Sequence, residues 1–133
     1  MLKIRRVGAA IPAQDIQRAR QFYEQKLGFK PVQEGLDGGV AYMFGETGFL
    51  LFPSMGKASG DHTQMAFDVD DVEEAVRELK RAGVEPEEYD FPNLKTKDGI
   101  VERPDGEKGA WFKDTEGNLI GIGTLTPVRA GSN

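Results

Sequence analysis

The apolar positions of the chain fall into two helical stripes set among short runs that alternate apolar and polar residues. Ile16, Ala19, Phe22, Tyr23 and Leu27 recur at the spacing of an amphipathic helix, and so do Val72, Ala75, Val76, Leu79 and Ala82. Asp15 stands where the first helix needs a cap, Asp70 or Asp71 where the second does, and Gly28 and Gly83 close them. Ile4 to Ile11, Val32 to Glu34, Val40 to Phe44, Phe49 to Pro53, Thr63 to Val69, Gly109 to Lys113 and Leu119 to Leu125 read as strands. The turn formers Asp37-Gly38-Gly39, Gly45-Glu46-Thr47-Gly48 and Asp114-Thr115-Glu116-Gly117-Asn118 separate neighbouring runs. Glu85 to Asp105 is polar and contains proline, the pattern of a long loop over a cleft. The mixed charges from Lys95 to Lys108 suit a lid or a solvated hairpin turning at Pro104-Asp105-Gly106.

The two stripes belong to a repeat. Ile11 to Ala19 aligns with Phe67 to Ala75 at a constant offset, since 71 − 15 and 75 − 19 both give 56. Each copy then ends on Gly28-Phe29-Lys30-Pro31 or Gly83-Val84-Glu85-Pro86, the second one residue shorter. A duplicated strand-helix-strands unit follows, an α+β arrangement of two tandem modules. The first covers about residues 3–54, a Gly- and Ser-rich linker about 54–61, the second about 62–126, and a tail 127–133 is expected to be disordered from Arg129 on.

Composition narrows the function classes. The chain has 133 residues, 38% hydrophobic and 29% charged, enough for one domain with a real core. Its longest apolar run, Phe49 to Phe52, is too short for a membrane span, and Met1 to Arg6 has no apolar leader, so a cytoplasmic protein is expected. Without cysteine, disulfides, thiolate metal sites and a cysteine nucleophile are excluded. A net charge of −5 argues against nucleic acid as the main partner. One histidine and no serine elbow leave no nucleophilic triad.

Three segments in order, Asp15 to Phe29, Met65 to Val72 and Asp114 to Ile120, together with the duplication, resemble the vicinal oxygen chelate superfamily of glyoxalases, bleomycin resistance proteins and ring-cleaving dioxygenases. The resemblance implies two βαβββ modules whose curved sheets enclose a U-shaped cleft, often within a homodimer. It also implies four inward positions that hold a divalent metal in the enzymes, falling here near Gly8, Phe52, Gln64 and Gly121. Only Gln64 carries an oxygen donor, so the family's metal centre is expected to be absent, with a divalent ion on other ligands as the alternative.

Strand alternation, with Ala9, Ile11, Met65, Phe67 and Val69 toward the helices, turns Arg6, Gly8, Ala10, Gln64, Ala66 and Asp68 toward the cleft. Tyr42, Phe44, Phe52 and Trp111 are aromatic candidates for stacking a flat or apolar ligand. His62, two residues before Gln64, joins the ligand-binding candidates; Glu102, Asp68 and Tyr42 are the candidate acids or bases. Three functions fit: a metal-free protein that encloses a small molecule, an enzyme of the lyase, isomerase or dioxygenase type, and a non-catalytic interaction domain.

Overall fold

A computed structural model describes residues 1–124; the expected strand end at Leu125 and the expected disordered tail lie outside them. The repeat is written first in the helix caps. The Asp15 carboxylate accepts from the Arg18 N–H at 3.1 Å and that of Asp71 from the Glu74 N–H at 3.0 Å, the same three-residue reach in both copies. Asp71 rather than Asp70 is thus the second cap. Helix α1 runs over Ile16–Gln21 and continues as a π-helical turn over Phe22–Lys26, whereas α2 is regular over Val72–Arg81. That turn, with Leu27 N–H on the Phe22 carbonyl, takes up the one extra residue of the first copy. Both helices still end on a left-handed glycine, Gly28 at φ 76° and Gly83 at φ 82°.

The chain divides into two units, residues 1–65 with 113–119 and residues 66–112 with 120 onward. In the first, β1 (Ala9–Ala13), β2 (Pro31–Glu34), β3 (Val40–Phe44) and β4 (Thr47–Pro53) form a sheet of order β1-β4-β3-β2. β1 lies parallel to β4, and β3 antiparallel to both β4 and β2. The second sheet has order β5-β10-β9-β8, from β5 (Thr63–Asp68), β8 (Val101–Glu102), β9 (Lys108–Lys113) and β10 (Leu119–Gly123). Its order repeats that of the first, the βαβββ plan read from the repeat. A two-stranded hairpin of β6 (Asp90–Phe91) and β7 (Leu94–Lys95) is inserted between α2 and β8. The stretch expected as one long loop therefore holds paired structure, and Pro104-Asp105-Gly106 makes the expected turn into β9, with Gly106 N–H on the Arg103 carbonyl. No described helix is long and apolar enough to cross a membrane.

The first strand is shorter than the alternation of Ile4 to Ile11 predicts. Residues 1–8 lie outside any sheet, and Met1, Leu2, Ile4 and Val7 are exposed. Within the first unit Ile11, Ala13, Ala19, Phe22, Tyr23, Val40, Tyr42, Phe49 and Leu51 are buried; within the second Val72, Val76, Leu79, Val84, Phe112 and Ile122 are, with Phe67 against Phe112.

A polar cluster is buried beside the apolar core of the first unit. Asp114, Glu116 and Asn118, from the turn between β9 and β10, are only 5%, 7% and 0% exposed. Asp114 Oδ2 accepts from the Tyr23 hydroxyl at 2.6 Å and from Asn118 Nδ2 at 2.8 Å, while its Oδ1 accepts the N–H groups of Glu116 and Asn118. Glu116 accepts the Gln14 N–H at 2.6 Å and, through its other oxygen, Arg18 at 2.7 Å. Burial, then the charge and hydrogen bond of Asp114, push the Tyr23 hydroxyl far above its ordinary pKa, so it remains a donor. Asp114→Ala strips an acceptor from four donors at once and is expected to destabilise the protein by about 3 kcal/mol or more, against about 1.5 kcal/mol for Tyr23→Phe. Urea unfolding of both variants checks the ranking, and equal losses would refute it.

Candidate functional site

In the first sheet, alternation sorts the side chains cleanly. Val40, Tyr42, Phe49 and Leu51 face the helix and are buried. The opposite face carries Ala41 and Met43 on β3 and Leu50 and Phe52 on β4, and the register sets Leu50 between Ala10 of β1 and Ala41 of β3. Pro12 pairs with Phe52 beside them, and Met43 with Gly48. This face stays open: Leu50 is 45% and Met43 39% exposed. A Cβ on Gly48 would stand 2.2 Å from the Tyr42 carbonyl oxygen and 2.5 Å from the Met43 sulfur, so this close strand approach requires glycine. The result is an apolar, partly exposed platform.

The candidate residues do not all join it. Phe52 lies on the platform, half-buried, as alternation predicts. Tyr42 points the other way: it is fully buried, and its hydroxyl donates to Glu24 at 2.8 Å. Its place as stacking group or acid is corrected, because its register opposite Phe49 fixes it on the helix side. Phe44 ends β3 with its ring edge-on to Phe29, centroids 4.8 Å apart. Arg6 and Gly8 precede β1 and are exposed, so strand alternation does not orient them.

Gln64 is half-buried on β5, and its Oε1 is buried without a hydrogen-bond partner. Asp68 ends the same strand, exposed. His62 is exposed, its Nδ1 3.3 Å from the Thr63 carbonyl oxygen. Trp111 is half-buried on β9 with its ring edge-on to Tyr89 at 5.5 Å. Glu102 is moved by its register. It pairs with Lys108, whose ammonium bonds Glu73 of α2, so Glu102 stands on the α2 side of the sheet rather than on the face expected to meet the cleft.

Gly8 and Phe52 bring no side-chain donor, nor does Gly121, which is buried on β10, so the residues at the family's metal positions do not fit a hard divalent ion. Among the described residues no three of His, Cys, Asp and Glu come together as a metal site.

A family model for the glyoxalase/bleomycin resistance protein/dioxygenase superfamily matches residues 4–122. The chain belongs to this superfamily. Solved structures share the fold. UcmS2 matches with a TM-score of 0.71 at 20% identity, over 93% of this chain and 100% of that one. A bleomycin-binding protein complexed with bleomycin gives 0.68 at 19%, over 92% and 100%, and a lactoylglutathione lyase from Agrobacterium tumefaciens 0.66 at 18%, over 91% and 94%. No curated protein matches the chain.

Sequence reasoning missed Ala41, Met43 and Leu50 as site residues, although Ala41 and Leu50 sit at odd steps from the buried Tyr42 and Phe49, which is the signal that would have found them. It also missed what supports the sheet from behind. Burial raises the pKa of Glu24, but hydrogen bonds from Arg20 and Tyr42 and the charge of Arg20 outweigh it, holding the carboxyl below its usual range. Arg20 reaches Glu24 at 2.7 Å and Glu34 of β2 at 2.9 Å, tying the helix to the sheet. A carboxyl depressed in the folded state stabilises the fold above its unfolded pKa, and that contribution disappears as pH falls through the folded value. Thermal melts of wild type should therefore fall more steeply below about pH 5 than those of Glu24→Gln. Parallel slopes would remove Glu24 from the account.

Proposed function

We propose that the protein binds a small, flat or apolar molecule on the open face of its first sheet, without a metal ion. The observation that carries this reading is the platform of Ala10, Ala41, Met43, Leu50 and Phe52, apolar and partly exposed in a chain of mean hydropathy −0.48. Exposing such a face to water is unfavourable by about 25 cal/mol per Å², so an apolar ligand gains by covering it. The donor chemistry supports the absence of metal: the face offers carbon and sulfur where a hard ion needs several oxygens or nitrogens. A fold neighbour solved with bleomycin bound supports a small-molecule ligand as the class.

The reading includes a homodimer, supported by the exposed apolar residues Met1, Leu2, Ile4 and Val7 ahead of β1. Light scattering on a size-exclusion column tests that part separately.

The neutral fluorophore N-phenyl-1-naphthylamine is expected to bind the wild type with enhanced emission. Leu50→Glu, on the open face, should weaken binding at least tenfold, about 1.4 kcal/mol, and leave the melting temperature nearly unchanged. Binding unaffected by Leu50→Glu would overturn the assignment of this face. Stoichiometric metal in protein purified without chelator, lost in Gln64→Ala, would overturn the metal-free part.

A further inference from the structure

The second unit contains a cavity of about 550 Å³, lined by Glu73, Val76, Arg77 and Lys80 of α2, by Lys95, Lys97, Asp98 and Ile100, and by Glu102 and Lys108. Its lining holds five cations and three carboxylates. Two positive charges in excess are thus concentrated in one place on a chain whose net charge is −5.

Pairing sets part of this charge aside. Lys108 is engaged by Glu73, and the Arg77 fork is held by Glu74, with Nη2 at 2.8 Å. Lys80, Lys95 and Lys97 have no carboxylate partner among the described residues. The last two are held in place by the inserted hairpin. Thr96 between them donates its N–H to the Tyr89 carbonyl at 2.9 Å, and its hydroxyl accepts the Tyr89 N–H and donates to Glu88. Alternation along this paired stretch puts Lys95 and Lys97 together on the other side from Thr96. The chain then reverses through Asp98 at φ 54° and Gly99 at φ 83°, with Lys97 and Ile100 exchanging both backbone hydrogen bonds. Glu88 also accepts the Gly99 N–H at 3.0 Å, fixing the turn.

We propose that this cavity is a binding site for a small phosphorylated molecule. Lys80, Lys95 and Lys97, left without ion-pair partners among the described residues, outnumber the remaining carboxylates Asp98 and Glu102, a surplus of positive charge that suits a phosphoryl group. Lysine ammonium groups suit phosphoryl oxygens as compact point charges, while the Arg77 guanidinium is engaged by Glu74. Val76 and Ile100 give the lining an apolar part on which the organic body of the ligand rests.

Isothermal titration with phenyl phosphate and with succinate, at low and high salt, tests the site. One equivalent of phenyl phosphate should bind, more tightly than succinate, with amide shifts confined to residues 76–80 and 95–102. Lys95→Gln with Lys97→Gln should weaken it at least tenfold, Lys95→Arg with Lys97→Arg should restore most of it, and the control pair Lys30→Gln with Lys57→Gln should leave it within twofold. Melting curves confirm that each variant is folded. Absence of saturable binding at millimolar phenyl phosphate, equal loss in the control pair, or tighter binding of succinate would each overturn the proposal.

Discussion

The buried carboxylate of Asp114 is the constraint around which the first unit is built. It gathers four donors from two parts of the chain: the Tyr23 hydroxyl from the π-helical turn, and from its own turn the Asn118 side-chain amide and the backbone N–H groups of Glu116 and Asn118. A carboxylate this far from water is tolerated only with its lone pairs filled. Each donor is therefore obliged to stay, and with it the chain segment that carries it. Asn118 passes the constraint on by donating to the Pro12 carbonyl of β1, and Glu116 does so by receiving the N–H groups at the start of α1. The helix start, the strand before it and the turn between β9 and β10 are thereby fixed together, and Leu50 and Met43 on the other face of the first sheet stay exposed.

The same logic explains which parts of the molecule were legible in the sequence. Caps, closing glycines and the offset between the copies are local and periodic, so the duplicated βαβββ plan could be read from Asp15, Asp71, Gly28 and Gly83 alone. The extra residue of the first copy was visible as a length difference, but its form was not, because a π-helical turn has no residue pattern of its own; here it sets Tyr23 within reach of Asp114. Asp114 to Asn118 was legible only as a turn. Burial of three polar side chains depends on partners about a hundred positions away, and no local pattern reports that.

The candidate site was legible as a face and less so as residues. Phe52 followed from alternation. Tyr42 did not, since an aromatic residue in a strand suits a ligand or a core equally well, and only the pairing with Phe49 decides between them. Glu102 was misplaced because Glu85 to Asp105 reads as a loop over a cleft, whereas its pairing with Lys108 puts it on a short strand with its side chain toward α2. Arg6 and Gly8 were misjudged because apolar residues such as Ile4 and Val7 extend the strand pattern past the point where β1 has a partner.

Chain path and sequence repeat divide the molecule differently. The duplication splits the sequence once, in the linker, whereas the units exchange chain at 65/66, 112/113 and 119/120. The first repeat contains Tyr23 and Arg18 but not the carboxylates they bond, which belong to the second. A half-length chain ending at the linker would carry donors without acceptors and would need another polypeptide to supply them. Joining the two copies end to end makes that supply internal, so the helix and strands of the first half are held by carboxylates that the second half contributes.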